Sequence, residues 1–75
     1  MIDRVRSIIT EFKPEYDFNS SDNFVVDGYL DSLDIIELLS VLEKEFGIKF
    51  NGDDVKVEHF ISFQSLTNLI DSKTS

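Results

Sequence analysis

The chain has 75 residues, 41% of them apolar and seven of them Phe, enough to fill one small core but not two. That composition excludes disorder as the default state, and the absence of Cys excludes disulfides, thiolate metal sites and a cysteine nucleophile. Fifteen acidic against seven basic residues give a net charge of −8, which disfavours nucleic acid and anionic lipid as partners and suits a basic protein surface. The first segment, Ile2 to Phe12, repeats Ile2, Val5, Ile9 and Phe12 at helical spacing, with Ile8 at the edge of the same face. Lys13-Pro14 closes it, because proline cannot continue the helical ladder and disfavours helical geometry at the residue before it. Residues 15–31 hold Asn19-Ser20-Ser21-Asp22-Asn23 and Asp27-Gly28, which are turn formers, and predict a long loop. Tyr16, Phe18, Phe24, Val25 and Leu30 along it are expected to pin it to the helices. A loop of this length in a small domain is most often functional.

Ser32 to Phe46 is the clearest helix. Asp31 is a good N-cap, Asp34 three residues on gives a weak capping-box pattern, and Gly47 stands where a left-handed C-terminal cap is wanted. At about 100° per residue, Ile35, Leu38, Leu39, Leu42 and Phe46 share one arc and form the core face. Ile48 and Phe50 alternate with Gly47 and Lys49, Asn51 to Asp54 is a turn, and residues 53–60 are expected to be irregular or a short helix. A last helix starts after Ser62 as N-cap and runs to about Ser72, with Phe63, Leu66, Leu69 and Ile70 as its apolar stripe. The fold class is all-α, a small up-and-down bundle of three main helices plus one short helix, with the long loop between the first two. Residues 1–75 read as a single domain. No stretch approaches the about 20 apolar residues of a membrane span. The opening Met1–Phe12 lacks the apolar run of a secretion signal, so a cytoplasmic monomer is expected.

Catalysis finds little support. His59 is the sole imidazole, in the least regular part of the chain, and is expected to be a half-buried or surface residue. Asp53-Asp54 is a carboxylate pair of the kind an acidic composition produces by itself. Asp17, Asn19 and Ser21 have the spacing of the first ligands of a calcium loop, but Asp22 stands at the glycine position and Gly28 at the final glutamate, so no metal site is expected.

The second helix carries more apolar surface than its core face needs. Leu33, Ile36 and Ser40 project on another arc, about 100–160° from the core stripe, flanked by Glu37 and Glu43. Such a strip suits docking against a basic groove, although covering the ends of neighbouring helices would account for it equally well. With Asp31 as the cap, Ser32 occupies the first helical position and its hydroxyl is spare. A phosphate ester there would sit beside free N–H groups and the positive end of the helix dipole; alternatively Ser32 is itself the cap.

The run from Asp27 to Ile48 resembles the acyl carrier protein family. Asp31-Ser32-Leu33 opens an acidic helix with Glu37-Leu38, and that helix ends in Glu45-Phe46-Gly47-Ile48. The resemblance covers essentially the whole chain. It implies that Ser32 receives 4′-phosphopantetheine from coenzyme A through a phosphodiester, and that the arm's thiol holds acyl groups as thioesters. The protein would then be a shuttle rather than an enzyme. Its implied partners are a phosphopantetheinyl transferase and acyl-loading ligases or synthases with basic docking surfaces. The implied partner face is Asp31, Leu33, Asp34, Ile36 and Glu37, with Glu43 further along, which coincides with the second apolar strip. Gly28-Tyr29-Leu30 replaces the Gly-Ala common before Asp-Ser-Leu in fatty-acid carriers, and Ser40 replaces an apolar residue. The segment Val57 to Phe63 looks more like stand-alone specialised carriers, among them the D-alanyl carriers, whose tryptophan near the third helix is absent here. An aminoacyl cargo is therefore the alternative within the family, and an unmodified acidic adaptor the alternative outside it.

Overall fold

Each of the three periodic segments is helical in the computed structural model, which describes residues 1–74: α1 (Ile2–Phe12), α2 (Ser32–Phe46) and α3 (Phe63–Thr74). The core forms where their stripes meet. Val5 and Ile9 of α1, Ile35, Leu38 and Leu42 of α2, and Phe63, Leu66, Leu69 and Ile70 of α3 are all buried. Leu39 and Phe46, expected on the same arc of α2, are half-buried at its margin. Arg4 lies over the Phe46 ring at 4.5 Å and donates to the Glu45 carbonyl at 2.8 Å, so a charged side chain covers that end of the arc. Among the described residues there is no strand.

The loop between α1 and α2 is built from aromatic side chains. Phe18 and Phe24 are buried and meet edge to face at 4.9 Å; Phe24 in turn meets Phe63 of α3 at 5.1 Å. Tyr16 stacks on Tyr29 at 4.8 Å, and Tyr29 stands edge-on to Phe18 at 5.4 Å. The backbone is fastened too. The Phe24 N–H donates to the Ile61 carbonyl at 2.9 Å, and the Phe24 carbonyl accepts from Tyr29 and Leu30. Asn23 Oδ1 accepts from the N–H groups of both Val25 and Val26, as a turn-forming Asn does. A loop so anchored holds α2 by its first residue.

Two ties fix α2 against α1. Arg4, in the first turn of α1, reaches the last turn of α2, while Lys13, just past the end of α1, pairs with Asp34 in the first turn of α2 at 2.8 Å. The two helices are therefore antiparallel. The short helix expected within residues 53–60 takes the form of two three-residue 3-10 turns, Gly52–Asp54 and Val57–His59. Phe60, wholly buried, anchors the chain directly after them, and α1 packs on α3 below. Ser62 and Ser65 exchange N–H to Oγ bonds at 3.1 Å, a reciprocal cap that starts α3.

Candidate functional site at the start of the second helix

Asp31 settles what Ser32 is free to do. The Asp31 carboxylate accepts from the Asp34 N–H at 2.8 Å, and the Asp34 carboxylate accepts from the Asp31 N–H at 3.1 Å, so the capping box is complete without the serine. Ser32 is exposed, and its hydroxyl makes no hydrogen bond among the described residues. Asp34 has a further duty. Its carboxylate holds the Lys13 ammonium, which also donates to the Tyr29 carbonyl at 3.2 Å. The hydrogen bond to Lys13 lowers the Asp34 pKa below the usual carboxylate value, and the same bond raises that of Lys13.

The six acidic and apolar residues expected around Ser32 divide into two sets. Leu33 and Ile36 are 63% and 58% exposed, one turn apart on one face of α2, and Glu37 is exposed close to them. Asp31 is exposed beside Ser32. Asp34 and Glu43, by contrast, are engaged inside the chain: Asp34 as described, and Glu43 by accepting the Phe50 N–H at 2.8 Å, which fastens the segment after α2. Their negative charges serve the fold first.

Next to Ser32 lies an open pocket of about 200 Å³, lined by Ser32, Ile35 and Ile36 from α2 and by Val55, Lys56 and Val57 from the stretch joining the two 3-10 turns. The sequence reading did not single out Val55, Lys56 or Val57. A signal was present: two valines at alternate positions of an irregular segment, neither on any helical stripe. Both stay exposed, at 44% and 56%, because they face this opening rather than the core. His59, as expected, is half-buried; its N–H and carbonyl are bonded to Lys56 and Ser65, tying the second 3-10 turn to α3. Asp17 caps the turn Phe18–Ser20 through the Asn19 N–H. Among the described residues no three His, Cys, Asp or Glu side chains converge to hold a metal ion.

A model of the phosphopantetheine attachment site family matches residues 3–71. The chain belongs to this family. No solved structure matches it. The protein is thus a phosphopantetheine carrier, with 4′-phosphopantetheine attached covalently, and carriers of this kind are not themselves catalysts. The residues fit such a group. A covalently attached arm needs an accessible hydroxyl with no competing bond and room beside it, and the start of α2 supplies both. When bound, the group supplies a terminal thiol, which a chain without cysteine otherwise lacks. Membership also implies a phosphopantetheinyl transferase and partner enzymes that meet the carrier. No helix of the described residues is long and apolar enough to cross a membrane.

Proposed function

We propose that Ser32 is the attachment residue and that the protein shuttles acyl groups, as thioesters on the arm, between cytoplasmic enzymes of a biosynthetic pathway. The observation that carries the assignment is the division of labour at the helix start: Asp31 takes the cap, leaving the Ser32 hydroxyl exposed at the mouth of a pocket. Five other serines are committed elsewhere, while Ser7 and Ser40, exposed in the middle of α1 and α2, do not line the pocket. Ser20, Ser65 and Ser72 donate to backbone carbonyls, Ser21 donates to Asp27, and Ser62 accepts from Ser65. The family membership tells against an unmodified adaptor.

The docking face is Leu33, Ile36 and Glu37, with Asp31 beside the arm. A small apolar strip rimmed by carboxylates on a chain of net charge −8 is complementary to a basic groove with an apolar floor. Asp34 and Glu43 act at one remove, by holding α2 and the segment after it in place. The protein works as a monomer that binds its enzymes in turn.

The pocket walls favour acyl over aminoacyl cargo. Ile35, Ile36, Val55 and Val57 offer hydrocarbon to an alkyl chain and no carboxylate to a protonated amine. Competition for the arm-bearing protein between a fatty-acyl ligase and a D-alanine-activating ligase tests this, with product masses as the readout. An acylated product with little aminoacylated product is expected. Preferential aminoacylation would assign the protein to the other branch of the family.

A further inference from the structure

Of the seven basic residues, Arg4, Arg6, Lys13 and Lys73 are in ion pairs, while Lys44, Lys49 and Lys56 form none among the described residues. Only Lys56 of these three lines the pocket beside Ser32. Its root is fixed on both sides: the Lys56 N–H donates to the Asp54 carbonyl at 3.0 Å, and the Lys56 carbonyl accepts from the His59 N–H at 3.0 Å. Two acids stand two residues from it: Asp54 is already held by Lys73 at 2.6 Å, and Glu58, exposed, forms no ion pair with it among the described residues. An unpaired cation at the mouth of an apolar pocket, in a strongly acidic chain, calls for an anion.

We propose that Lys56 pairs with the phosphodiester formed on Ser32 and so holds the near end of the arm against Ile35, Val55 and Val57. This rests on Ser32 as the attachment residue. Lys56 is the one charged side chain in the pocket lining and adds to the free N–H groups at the start of α2, and the valines on either side of it give the arm's methyl-bearing portion apolar surface to lie on. The stretch 55–57 thereby becomes a rest for the arm, released when a partner enzyme competes for it. Because Lys56 is exposed, the pair is weak and salt-sensitive, as suits an arm that must leave.

The experiment compares amide chemical shifts before and after arm attachment in the wild type, Lys56→Gln, Lys56→Arg and Lys49→Gln, with intact mass confirming the arm on each. Lys49→Gln makes the same change in net charge away from the pocket. The wild type is expected to show shifts at Val55, Lys56 and Val57 that shrink about two- to fivefold in Lys56→Gln, the range open to an exposed ion pair. Lys56→Arg and Lys49→Gln should keep them, and about 0.5 M NaCl should shrink them in the wild type. Shifts of wild-type size in Lys56→Gln, with the arm present, would overturn the role of Lys56 and leave Ser32 untouched. An equal loss in Lys49→Gln would do the same. A wild type that gains no arm would overturn the Ser32 assignment and this inference together.

Discussion

Asp31 and Ser32 share tasks that a single serine could have combined, and the sharing is what leaves a nucleophilic hydroxyl in solvent at the mouth of a pocket. Asp34 adds a third task, because its carboxylate closes the capping box and holds Lys13. With its pKa lowered in the folded state, Asp34 contributes stability that is complete above the unfolded carboxylate value of about 4 and is lost as pH falls through its lower native value. Lys13, raised by the same pair, keeps its share while Asp34 is ionised and loses it at the alkaline end, above its unfolded value of about 10.4 as pH rises through its raised native value. A thermal melt series from pH 6 to pH 2 should therefore show a steep fall below about pH 4. Asp34→Asn should start lower and fall less over that window. Parallel curves for the two proteins would remove Asp34 from the account.

At the scale of elements, α2 shows how much the sequence makes legible. Its cap, its length, its core stripe and its terminal glycine all follow from local chemistry, and Gly47 adopts the left-handed φ of 64° that its place requires. Ser62 is likewise the N-cap of α3. The C-terminal end of α1 follows from Pro14 in the same way. Residues 51–60 are less legible because nothing local decides them. Their shape comes from tertiary contacts, the buried Phe60 and the Lys73 pair to Asp54, whose hydrogen bond lowers the Asp54 pKa. Hence the positions of Ser32 and the strip Leu33–Ile36 could be read from spacing, with their roles implied only by the family resemblance, while the pocket wall at Val55–Val57 could not be read at all. The cap gives an element-scale prediction. Asp31→Ala should cost about 1 kcal/mol, or about 4–8 °C in melting temperature for a domain of this size, and Asp31→Asn only a small part of that. Equal melting temperatures for the wild type and Asp31→Ala would show that α2 does not depend on this cap.

For the whole molecule, the aromatic loop and the two α1–α2 ties give a rigid seat for one residue, while the chain keeps most of its carboxylates in solvent. A net charge of −8 favours basic surfaces, and in the proposed function the strip on α2 provides register there. The thiol chemistry belongs to the arm; the chain is proposed to supply the place, the address and, through Lys56, a rest. The central claim is the place. Intact mass is to be measured for the wild type and Ser32→Ala after incubation with coenzyme A and a promiscuous phosphopantetheinyl transferase shown active on another carrier. The account predicts one added phosphopantetheine on the wild type and none on Ser32→Ala. A gain on the variant, or no gain on either, would contradict it.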